Sequence, residues 1–140
     1  MSSNLFVQSA FLFSSCINLL PVLGVLGSKK LSQLYGVTIT EMNQEMMMKH
    51  RAILFGIVGS ILGVAIVHRP IRKIAYFAGL TSMSSYMFLV TVFSDQGLHA
   101  FTSEIQRVFW IDCVGVLWLG TAAIVDIFGS LKRDSEAKKK

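Results

Sequence analysis

Two acids interrupt an otherwise apolar stretch near the C-terminus: Asp112 and Asp126 both fall within residues 108–131. An ionised side chain inside a lipid-crossing segment costs on the order of 2.5 to 3.5 kcal/mol on insertion scales, so each acid needs a compensating partner or a function. They stand 14 residues apart, and on a helix rising 1.5 Å per residue that is about 21 Å, which places them at different depths. His50, Arg51 and Arg107 share an outer layer with Asp112, and His68, Arg69, Arg72 and Lys132 share an inner layer with Asp126. The outer layer supports two chemistries. A carboxylate beside an imidazole makes a proton-relay or ligand site; the same groups also make an interhelical ion pair that sets helix register. For Asp126, ion pairing with Arg69 and Arg72 near the headgroups is expected.

Other constellations carry less chemistry. His68 and His99 stand at or beyond the ends of apolar runs, and three histidines without clustered Cys, Asp or Glu make no zinc pattern. Haem ligation needs two axial groups at matching depth, and no histidine lies mid-run. Met42, Met46, Met47 and Met48 offer soft thioethers to Cu(I), but consecutive side chains point to different sides of a helix. Cys16 and Cys113 fall at different depths and read as small apolar packers, not as a disulfide. Gly24 to Lys29 lacks the Gly-Lys-Ser/Thr ending of a phosphate loop, and no strand precedes it. No metal, no cofactor and no enzymatic activity is expected, since no nucleophile with a positioned base is visible.

The elements that position these residues follow from composition. Of 140 residues, 53% are hydrophobic and 15% charged, against roughly 45 to 50% and about 25% in soluble domains. A soluble enzyme domain and a disordered chain are both excluded on that balance. Four runs approach the roughly 20 apolar residues that a bilayer core requires: 5–26, 46–67, 74–94 and 108–131. The expected fold is all-α, a four-helix transmembrane bundle in one domain over 1–131, followed by a basic tail at 132–140. Residues 1–28 hold no Lys or Arg, so the first run is expected to persist as a span and not to be cleaved as a signal peptide. Pro21 should kink it.

The connector before the second span has structure of its own. Thr38-x-x-Glu41 matches a capping box, and Glu45 with Lys49 forms an i,i+4 pair, so the second helix should begin near Ile39 as a helical N-terminal extension standing proud of the membrane. Leu31, Leu34 and Tyr35 have the spacing of a short apolar face, ended by Gly36. On the second span, Gly56, Gly59, Ser60 and Gly63 set small residues four apart, which lets backbones approach closely. That face serves either packing inside the chain or contact with a partner.

Orientation follows from Lys and Arg near the span ends. Arg69, Arg72, Lys73 and the basic tail share one side; Lys29, Lys30, Lys49, Arg51 and Arg107 share the other. The first group is larger, so both termini are expected on the cytoplasmic or equivalent side. The net charge of +5 then reads as attraction to anionic lipid and not as nucleic-acid binding.

Three stretches together carry a family likeness: Asn18 to Gly27 continuing to Val37, Lys49-His-Arg-Ala-Ile-Leu-Phe-Gly56 leading to Pro70, and Gln106-Arg-Val108 with Asp112. Over roughly residues 18 to 120 the chain resembles a family of small four-span integral membrane proteins, best represented in bacteria, of undefined biochemical role. Some of its members carry the label phosphopantetheine adenylyltransferase; the histidine-glycine-histidine signature and βαβ alternation of that soluble enzyme are absent here. The resemblance implies that His50, Arg51, Arg107 and Asp112 recur together. The lysine tail and the methionine cluster depart from its pattern.

Two functions remain. The first is an accessory or assembly component of a membrane complex, with a membrane-protein partner or a second copy seated on the Gly56 to Gly63 face. The alternative is a binder or carrier of a small solute, lipid or proton that uses His50, Arg51 and Asp112.

Overall fold

The computed structural model describes residues 3–93 and 98–137. Every regular element among them is helical: α1 (Ser3–Leu19) with a 3-10 continuation (Leu20–Leu26), α2 (Ser28–Tyr35), α3 (Met42–Val67), α4 (Arg72–Val92) after a 3-10 turn (Arg69–Ile71), and α5 (Ser103–Ala137) after a turn at Leu98–Ala100. Four segments are long and apolar enough to cross a membrane: Asn4–Leu26, Met42–Val67, Arg69–Val92 and Ser103–Leu131. Residue 94 of the third expected span and residues 138–140 of the basic tail lie outside the described residues, as do the side chains of Lys132 and His99.

Helix boundaries sit where the backbone chemistry demands them. Pro21 occupies the first turn of the 3-10 segment, so the expected kink is a tightening of the helix from Leu20 onward. Gly36 closes α2 in the left-handed region at φ 64°, a conformation open to glycine without steric cost. The start of α3 differs from expectation. It begins at Met42, with Glu41 extended at its N-cap and no side-chain cap bond, so Thr38 and Glu41 do not form the capping box. The Glu45–Lys49 pair inside its first turns is present at 2.8 Å. Thr102 takes the capping role at α5, where its Oγ1 accepts from the Ile105 amide at 3.5 Å and donates to the Tyr35 carbonyl at 3.1 Å. One hydroxyl thus starts α5 and ties it to α2.

The spans run up, down, up, down. α1 and α4 each pack against both α3 and α5, and side chains meet across the middle, with the Phe11 and Tyr76 rings 4.6 Å apart. Small residues allow this closeness. A Cβ on Gly59 would lie 2.7 Å from Leu19 Cγ, and one on Gly63 3.2 Å from Ser15 Oγ, while one on Gly79 would meet Leu119 and Leu62 at 2.8 and 2.9 Å. Ser15 Oγ donates to the Gly59 carbonyl at 2.8 Å, a bond between helices that the missing side chain makes room for.

Polarity is arranged inside out. Ser14, Ser15, Asn18, Arg72 and Asp112 are buried, whereas Leu12, Ile57, Phe77, Phe88, Trp110 and Leu117 are exposed. Hydroxyls on the exposed surface are satisfied within their own helix: Ser60 donates to Gly56, Thr91 to Met87 and Thr121 to Leu117. This surface suits hydrocarbon, because its polar groups need no water.

Candidate functional site

The two polar layers expected from the sequence lie at opposite ends of the bundle, and they are built differently. At one end, Arg72 is turned inward, its side chain 5% exposed. Its Nε donates to the Ala65 carbonyl at 3.2 Å, one terminal nitrogen reaches both Asp126 oxygens at 3.4 Å, and the other reaches Asn4 Oδ1 at 3.4 Å. The Tyr76 hydroxyl shares its one proton between Asp126 Oδ2 at 3.4 Å and the Ala122 carbonyl at 3.3 Å. The expected partner of Asp126 is therefore Arg72. Arg69 lines the hollow beside the pair and makes no ion pair with Asp126.

The other end holds a cavity of about 130 Å³. Every helix contributes to it: Asn18 and Pro21 from the first span, Tyr35 from α2, Arg51 and Phe55 from α3, Ser82 and Tyr86 from α4, Asp112 from α5. Helical spacing explains the set. Arg51 and Phe55, like Ser82 and Tyr86, stand four residues apart and so project from one face of their helix. A groove of about 370 Å³ shares Arg51, Phe55, Ser82 and Tyr86 with the cavity and runs between α3 and α4 past Leu89 and Phe93. Both of those residues are exposed, so the groove opens sideways onto the apolar surface.

Inside the cavity some polar groups are committed and others are free. Ser82 Oγ donates to Asn18 Oδ1 at 3.0 Å, Asn18 Nδ2 donates to the Ser14 carbonyl at 2.9 Å, and the Tyr86 hydroxyl donates to the Ile105 carbonyl at 3.3 Å. The Arg51 guanidinium lies over three rings, 5.6 Å from Tyr35, 5.3 Å from Phe55 and 6.0 Å from Tyr86. Ring contacts use the flat faces of a guanidinium and leave its N–H edge available. Asp112 is 6% exposed, and among the described residues its carboxylate receives no hydrogen bond and no ion pair. A cation and an anion thus line one cavity without touching. The Asp112 oxygens keep contact with open space, since the buried side-chain polar atoms with no partner among the described residues are Ser14 Oγ and Trp118 Nε1; that leaves room for a guest that accepts from Arg51 and donates to Asp112.

The outer layer read from the sequence contracts accordingly. Arg51, itself exposed, and buried Asp112 both line the cavity, while His50 and Arg107, also exposed, line neither the cavity nor the groove. Direct pairing of Asp112 with Arg51, the register-setting alternative, is absent. The sequence pattern alone does not mark Asn18, Tyr35, Phe55, Ser82 and Tyr86 as site residues, yet all five line the cavity. Their signal was available: Asn18 and Tyr86 are polar groups inside apolar runs, and Tyr35 ends the short apolar face of α2. The small-residue face of α3 is also settled in position. Gly56, Gly59 and Gly63 point at Val22, Leu19 and Ser15 of the first span, so the chain itself fills the place considered for a partner, and Ser60 is exposed beside it.

No protein-family model matches the chain, and it has no match among curated proteins or solved structures.

Proposed function

We propose that this chain is a multi-pass membrane protein that binds a small amphiphile, its polar head held between Arg51 and Asp112 and its apolar part lying in the groove between α3 and α4. The observation that carries this reading is that Asp112, a buried residue with no hydrogen bond or ion pair among the described residues, lines the same cavity as the free edge of Arg51. A head that both accepts and donates hydrogen bonds, such as a hydroxyl, satisfies both groups at once. Mostly apolar walls with a few convergent polar groups are the usual make-up of a ligand site. The lateral groove gives a tail a route from the bilayer. A subunit role drew on the Gly56 to Gly63 face, which packs against α1, so the ligand reading has the stronger support.

Retention tests it. Protein purified from its own membrane in mild detergent is expected to carry a stoichiometric small-molecule adduct in native mass spectrometry, and Asp112→Asn is expected to release that adduct while its thermal midpoint stays at or above that of ligand-stripped wild type. An adduct that survives Asp112→Asn and Arg51→Gln overturns the reading, as does wild-type protein with none.

A further inference from the structure

At the opposite end of the bundle a second hollow, of about 500 Å³, lies between the start of α4 and the last turns of α5. Arg69, Lys73 and Asp126 line it, over an apolar floor that includes Pro70, Ala123 and Ile127. Its charges do not cancel. Asp126 is already engaged by Arg72 and Tyr76, so its carboxylate offsets Arg72 and leaves Arg69 and Lys73 in excess. Those two are exposed, four residues apart, on one rim, and neither has an acidic partner among the described residues. Like charges so placed repel, and an anion between them removes the repulsion. α4 adds no acid of its own in its first turn to offset them.

The geometry points to a binding site for an anionic phospholipid, its phosphodiester between Arg69 and Lys73 and its acyl chains over the Ile127 side of α5. A lipid fits better than a free anion because the floor is apolar and Ile127, Ile124 and Phe128 continue it as exposed apolar surface. This site is separate from the Arg51 cavity and stands whether or not that cavity is occupied.

The test uses full-length protein delipidated in detergent and titrated with phosphatidylglycerol, phosphatidylcholine or inorganic phosphate, followed by native mass spectrometry and thermal shift. Phosphatidylglycerol is expected to bind one molecule tightly and to raise the midpoint, with phosphatidylcholine and inorganic phosphate giving neither effect. The double variant Arg69→Gln with Lys73→Gln is expected to lose roughly tenfold to thirtyfold in phosphatidylglycerol affinity, while Lys29→Gln with Lys30→Gln, at the other end, retains it. Equal binding of the two lipids, or equal losses in both double variants, overturns the assignment. So does inorganic phosphate matching phosphatidylglycerol, which makes the hollow a free-anion site.

Discussion

Arg72 and Asp112 are both buried charged side chains in apolar helices, and their surroundings give opposite expectations for substitution. Arg72 satisfies Ala65, Asn4 and Asp126 together. Removing it leaves those acceptors bare, so Arg72→Gln should lower stability by about 2 kcal/mol, the low side for a broken buried pair because Asp126 keeps 25% of its side chain exposed. Asp112 makes no hydrogen bond or ion pair that Asp112→Asn would break, and neutralising it should hold or raise the stability of the ligand-free protein in detergent. Denaturation midpoints of the two variants check both. Tyr35, outside the spans, offers a pH test. Burial pushes its phenol above the ordinary value, with the Arg51 charge opposing. The folded chain therefore keeps this proton after the unfolded chain has lost it; the contribution to stability is whole below about pH 10 and declines as pH rises further. The midpoint of wild type should fall faster than that of Tyr35→Phe as pH rises above about 10. Depth was legible in the sequence at this scale, because helical rise alone separates Asp112 from Asp126. Azimuth was not. Whether Arg51 turns toward Asp112 or toward the Tyr35, Phe55 and Tyr86 rings depends on how α3 is rotated in the bundle, and a helix apolar on both its outward and its core side carries little periodic signal of that rotation.

The elements meet through missing side chains. Gly59 sits where the Leu19 side chain and backbone of the first span approach most closely, so Gly59→Leu should cost about 1 to 3 kcal/mol by overpacking, read as a lower thermal midpoint. The loss should appear in the monomer, with native-gel migration of the surviving folded fraction unchanged. Gly120→Ala is the matched control, since its Cβ would come no nearer than 4.0 Å to Leu80; it should be neutral or stabilising by up to about 1 kcal/mol. The four spans, the α2 face and the Glu45–Lys49 pair could be read from composition and spacing, which local physics decides. The failure of the capping box at Thr38 could not, because Glu41 itself occupies the N-cap of α3, and neither could the Thr102 cap of α5, whose hydroxyl also makes a tertiary bond to Tyr35. A local pattern has no knowledge of such a bond.

Over the whole molecule, an up-down bundle with small residues at its contacts stacks two polar layers and leaves its exterior apolar. One layer is closed by Arg72 and Asp126; the other stays open around Arg51 and Asp112, with a lateral groove leading out. The most direct test of that difference is photolabelling in native membranes with a monoacylglycerol bearing a diazirine on its acyl chain, followed by peptide mapping. Label concentrated on Phe55, Tyr86 and Leu89, competed by unlabelled monoacylglycerol and lost in Asp112→Asn, is the predicted result. Label spread evenly over outward residues such as Phe77 and Leu117, indifferent to competitor and to Asp112→Asn, would contradict a ligand site between Arg51 and Asp112.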